Sequence, residues 1–183
     1  MHSYENEPIV VQREVKAIAI PAGVEVNLKL ASVGYITQAL GGSFTVYIDG
    51  NLFRIAGKDA DAIGKTAAVA PDVPEGATEE DLKAIIWKQL KTCFDPEIPV
   101  NIVDLGLIYE CDVSRNDDAS RRVDIKMTLT APGCGMGEVL VQDVRDKVEI
   151  VPTVAQAVVE LVFDPPWNHS MMSDEARLQT GMM

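Results

Sequence analysis

The sequence predicts an α+β protein: a small all-β N-terminal domain, then a compact α-β-β-α-β domain with a mixed sheet. Three observations carry this. Period-two alternation punctuated by turn residues fills roughly residues 10–57. An Ala/Gly/Pro-rich stretch follows over 58–77. From Thr78 onward, helical spacing and period-two alternation take turns along the chain.

In the first segment Val24, Val26, Leu28 and Leu30 alternate with Glu25, Asn27 and Lys29, the pattern of a half-buried strand. Phe44, Val46 and Ile48 repeat it. Asp49-Gly50-Asn51 supplies the turn into Leu52-Phe53-Arg54-Ile55, so a hairpin is expected. The expected domains are 1–57, β-rich; 58–77, a linker; and 78–183. The linker includes Ala70-Pro71-Asp72-Val73-Pro74-Glu75-Gly76, whose prolines suit neither a helix interior nor a central strand.

Thr78-Glu79-Glu80-Asp81 has the form of a capping box with Asp in place of Glu, and Leu82, Ile85, Ile86 and Leu90 follow at helical spacing. Asp95-Pro96 and Ile98-Pro99 end that helix near Cys93. Two alternating strands come next, one through Leu107, Tyr109, Cys111 and Val113, the other through Val123, Ile125, Met127 and Leu129. The polar loop 115–121 joins them into an antiparallel hairpin. After Ala131-Pro132-Gly133-Cys134-Gly135-Met136-Gly137, a helix presents Leu140, Val141, Val144 and Val148 on one face. Ala157–Phe163 is nearly all apolar and reads as a strand buried on both faces. The last β-α-β step makes its strands parallel.

Composition narrows function. With 16 basic and 28 acidic residues the formal charge is −12, which disfavours nucleic acid and anionic membrane surfaces as partners. No apolar run approaches the roughly 18–20 residues of a membrane span, and the polar, acidic start lacks the form of a signal peptide. A cytoplasmic protein is expected.

The three cysteines, Cys93, Cys111 and Cys134, form no C-x-x-C pair, so the chain alone cannot build a four-cysteine site. Cys134 stands out. It lies in a Gly-rich turn before a helix N-terminus, where free N–H groups and the helix dipole favour a thiolate. The competing reading is an inert cysteine at a tight turn. Cys111 shares an alternating apolar face and Cys93 a helical one, so both read as packing residues. Asp95, Glu97 and Asp104 cluster in a proline-stiffened segment, as presented carboxylates or as turn caps. The Gly-rich turn is neither a phosphate loop nor a dinucleotide fingerprint. A cysteine hydrolase would need a histidine base, and only His2 and His169 exist.

Three ordered motifs in residues 78–183 resemble the PaaD-like domain of iron–sulfur maturation proteins. They are Asp95-Pro96-Glu97-Ile98-Pro99-Val100-Asn101-Ile102-Val103-Asp104-Leu105-Gly106-Leu107-Ile108-Tyr109, then Thr128-Leu129-Thr130-Ala131-Pro132-Gly133-Cys134-Gly135, then Phe163-Asp164-Pro165-Pro166-Trp167 before a Met-rich tail. Ile36–Val46 is similar to the extension of longer bacterial SufT proteins. The resemblance implies a non-enzymatic accessory role in assembling, carrying or delivering iron–sulfur clusters to apo-proteins. It implies a reactive Cys134 with Asp104 and Thr130 beside it, and Asp95 and Glu97 as members of the first motif. The implied cargo is a transient iron–sulfur cluster or iron. The implied partners are scaffold or carrier proteins and apo-clients. One thiolate per chain cannot hold a cluster alone, so a homodimer or transient complex is expected, with Cys134 as one ligand. The alternative is a client-recruiting adaptor in which Cys134 is structural or redox-sensing.

Overall fold

A computed structural model describes residues 6–95, 97–133 and 135–182. The chain divides into two units, one running to Val69 and the other starting at Ala70.

The first unit is a six-stranded antiparallel sheet of β1 (Glu7–Val10), β2 (Val15–Ile20), β3 (Glu25–Leu28), β4 (Val33–Leu40), β5 (Ser43–Ile48) and β6 (Asn51–Ile55). The spatial order is β1-β4-β5-β6-β2-β3. The expected hairpin is β5–β6. Asp49 (φ 49°) and Gly50 (φ 83°) both take positive φ, the conformation a two-residue turn needs to follow strand twist. Phe44, Val46, Ile48 and Ile55 are buried in its core.

Two expectations for this unit are corrected. The strand expected from Val24 to Leu30 is only Glu25–Leu28, with Val24 57% and Leu30 64% exposed. As an edge strand, β3 pairs on one side only, and Leu28 is its buried residue. The linker expected over 58–77 does not begin at 58. Gly57–Ile63 form a 3-10 helix whose Ala60, Ala62 and Ile63 are buried in the β core. The small side chains that suggest a linker in sequence are what let this turn pack closely.

The second unit opens with α1 (Glu79–Leu90), held by the expected capping box: Thr78 Oγ1 accepts the Asp81 N–H, and Asp81 accepts the Thr78 N–H. Its Leu82, Ile86 and Leu90 are buried. β7 (Ile108–Arg115) and β8 (Arg121–Met127) pair antiparallel, with a bulge between Ile108 and Glu110. After α2 (Gly137–Glu149), β9 (Val154–Leu161) joins parallel to β8. The three-stranded order is β7-β8-β9. One sheet face carries Val123, Ile125 and Met127 into a core with Ile86, Leu90, Val144 and Val148.

β9 departs from the expectation of burial on both faces. It lies at the sheet edge, with Glu160 exposed and Val158 and Val159 half-buried. Beyond it, Phe163 is 47% exposed. The sheet's outer face is an ion-paired polar surface, with Lys126 Nζ 2.8 Å from Glu110 and Arg122 2.8 Å from Asp124. The chain ends in a 3-10 turn (His169–Met171) and α3 (Asp174–Thr180). Too short to stand alone, α3 is anchored by Ala176, which is fully buried beside Met172 in the second core. Among the described residues, no helix is long and apolar enough to cross a membrane.

Candidate functional site

The first site segment begins where α1 ends. Cys93 N–H closes on the Leu90 carbonyl, and Phe94 bridges Asn101. Between them the chain folds over the Asp95 side chain. Asp95 is 4% exposed, and its Oδ1 accepts the backbone N–H groups of Glu97 (2.9 Å) and Ile98 (2.8 Å). Its other oxygen, Oδ2, accepts the Thr130 hydroxyl at 3.4 Å. Asp95 therefore caps its own turn and ties that turn to the chain leaving β8. Thr130 is half-buried and follows Thr128 and Leu129, both buried. Glu97 is exposed and enters this arrangement through its backbone N–H.

A second turn holds Asp104. Asn101 Oδ1 accepts the N–H groups of Val103 (3.1 Å) and Asp104 (2.9 Å), while Asn101 Nδ2 donates to Asp104 Oδ2 at 2.5 Å. Lys91 Nζ lies 4.0 Å from Asp104 Oδ1, and the Asp104 side chain is 19% exposed. Its carboxylate is thus positioned and mostly, though not wholly, shielded from solvent. Among the described residues, no hydrogen bond or ion pair joins Asp104 to Asp95 or Thr130. The structure brings Asp95 and Thr130 together and holds Asp104 by a separate set of contacts.

The C-terminal segment closes over this second turn. Trp167 donates its indole N–H to the Leu105 carbonyl (2.7 Å), Ser173 N–H donates to the Asp104 carbonyl (2.8 Å), and Tyr109 donates its hydroxyl to the Pro165 carbonyl (2.8 Å). Gly106 has φ 75°, and a Cβ there would overlap the Met171 carbonyl oxygen. Glycine is required both by the backbone conformation and by the close approach of the tail. The first and third sequence motifs are therefore one packed structure.

The Gly-rich turn joins Thr130 to α2. Gly133 takes φ 79° in open space. Gly137 opens α2, and a Cβ there would come within 2.9 Å of Leu129. Cys134 itself lies outside the described residues. Cys93 and Cys111 are both buried in the second core, in accord with packing roles. Burial pushes the Cys111 thiol up to about 11, which keeps it neutral and unreactive. His169 stacks edge-on against Trp167 with ring centroids 5.2 Å apart. No group of three or more His, Cys, Asp or Glu side chains is gathered for a metal among the described residues.

Sequence reasoning did not single out Asn101, Tyr109 or Trp167 as individual contributors. The Asn-x-x-Asp spacing of Asn101 and Asp104 is a turn signal in itself, since an Asn side chain bonds the backbone just ahead of it. The Trp167–Leu105 and Tyr109–Pro165 contacts span 62 and 56 residues, and no local pattern announces them.

Comparison with known proteins bears on this unit. Residues 83–160 match the family model described as iron-sulfur cluster assembly protein. An Fe-S protein maturation auxiliary factor of Porphyromonas gingivalis is 48% identical over 106 residues, covering 58% of this chain and 93% of the relative. The auxiliary factor YitW of Bacillus subtilis is 36% identical, covering 57% of this chain and 98% of its own length. The auxiliary factor SufT of Staphylococcus aureus is 38% identical, covering 48% and 96%. On these matches the chain belongs to the iron–sulfur cluster assembly protein family, as a SufT-like accessory protein.

Proposed function

We propose that the chain is a non-catalytic factor that assists assembly, carriage or delivery of iron–sulfur clusters to apo-proteins, with Cys134 as the thiolate that meets the cargo. The observation that carries this reading is the match to iron–sulfur maturation auxiliary factors, 48% identical over 106 residues in one relative. The long Thr130–Asp95 hydrogen bond links the chain four residues before Cys134 to the acidic turn. Asp104, held by Asn101 and partly exposed, offers a carboxylate oxygen to iron or to a hydrogen-bonding partner. Cys111 is buried and its thiol is held neutral, so it serves packing rather than this role.

One thiolate leaves a cluster with missing sulfur ligands. The remaining ligands come from a scaffold or carrier, an apo-client, a second copy of the chain or a small thiol. The cluster is cargo, passed on rather than retained. The exchange takes place in the cytoplasm, where thiols stay reduced.

The test is maturation of an iron–sulfur client enzyme in cells lacking the chain. Wild type restores client activity, and Cys134→Ser fails to do so at equal protein level. Full restoration by Cys134→Ser would remove the ligand role and leave the adaptor reading, in which client capture does not need the thiol.

A further inference from the structure

We propose that Asn101 is the positioning residue for Asp104, holding that carboxylate in the orientation its role requires. The inference rests on the reading of Asp104 as a group that meets iron or a partner. Asn101 makes three bonds to the same short turn. Its carbonyl oxygen receives the Val103 and Asp104 N–H groups, which fixes the backbone, and its amide donates to Asp104 Oδ2, which fixes the side chain. Nδ2 occupies one carboxylate oxygen, and the other, Oδ1, lies 4.0 Å from Lys91 Nζ.

The turn is also braced from the opposite side. Ser173 N–H takes the Asp104 carbonyl and Trp167 takes the Leu105 carbonyl, so the backbone of this turn is bound from both its own chain and the tail. Those contacts hold the Asp104 backbone and leave its side chain free to turn. The amide of Asn101 adds the constraint on the carboxylate itself, whose side chain is partly exposed.

An exchange of the two side chains separates positioning from stability. Asn101→Asp keeps the oxygen that accepts both N–H groups but loses the donor to Asp104. Asp104→Asn removes the carboxylate. The double variant N101D/D104N rebuilds the side-chain hydrogen bond with donor and acceptor exchanged. Each full-length variant is measured for thermal stability and for client maturation in cells lacking the chain. The expected result is a several-fold loss of maturation in both single variants, with the double variant regaining wild-type stability but not maturation. Wild-type maturation by folded Asn101→Asp would overturn the positioning role. Recovery of maturation by the double variant would also overturn it, since the pair would then act through stability alone. Wild-type maturation by Asp104→Asn would instead remove the underlying reading of Asp104. If Asn101→Asp does not fold, Asn101→Ser, which keeps an oxygen for the two N–H groups and adds no charge but loses the amide donor, takes its place, and wild-type maturation by folded Asn101→Ser would overturn the positioning role.

Discussion

The Thr130 hydroxyl donates to Asp95 Oδ2 at 3.4 Å, joining two sequence motifs 35 residues apart. The same carboxylate accepts two backbone N–H groups through Oδ1. Asp95 is therefore a hub, and Thr130 is one of its spokes.

The hub and the spoke should differ in energy. Asp95→Ala removes a buried carboxylate that accepts the Glu97 and Ile98 N–H groups and should cost about 2–3 kcal/mol. Thr130→Val removes one long hydrogen bond and should cost about 1 kcal/mol or less. Urea denaturation of the two variants beside wild type measures both.

Gly106→Ala should dislodge the tail. The added methyl meets the Met171 carbonyl, and its backbone must hold φ 75°. The strain should exceed about 1–2 kcal/mol from the φ angle alone. Limited proteolysis should cut the C-terminal segment of this variant well before that of wild type.

Trp167→Phe keeps the ring packing and deletes the N–H that reaches the Leu105 carbonyl. A loss of about 1 kcal/mol is expected, with the carbonyl left to find water. Trp167→Ala also removes the partly buried ring packed against the second core, and about 3 kcal/mol or more is expected. Thermal melts of both variants separate the hydrogen bond from the packing.

Cys111 gives a pH prediction. Its thiol is pushed up to about 11 by burial, above the unfolded value of ~8.5. Below ~8.5 both states hold the proton and the contribution is constant. Above it the unfolded state ionises first, so this thiol lowers stability progressively until about 11. Denaturant midpoints of wild type and Cys111→Ala should converge or cross over that range. At pH 8, iodoacetamide should leave Cys111 unlabelled until denaturant is added.

Much of the second unit was legible because its periods are clean. Val123, Ile125 and Met127 alternate and are all buried, and the α2 stripe of Leu140, Val144 and Val148 faces the core. β9 was misread because an apolar run is common to central and edge strands, and only the pairing order tells them apart. The Gly57–Ile63 turn was misread because small residues serve linkers and tight packing alike. In the site, the resemblance marked Asp95, Asp104 and Thr130 as motif members. The sequence did not say that Asp95 and Thr130, 35 residues apart, share a hydrogen bond, a contact made by folding and not by spacing. The Asn101–Asp104 contact is local, and its Asn-x-x-Asp spacing was a signal that went unused.

The most direct test of the central claim is anaerobic reconstitution with iron and sulfide, reading absorbance and iron and sulfide per chain. Wild type should take up a cluster and Cys134→Ala should not, with about half a cluster per chain if two copies share it. Equal uptake by Cys134→Ala, or none by either protein, would contradict Cys134 as the residue that meets the cargo.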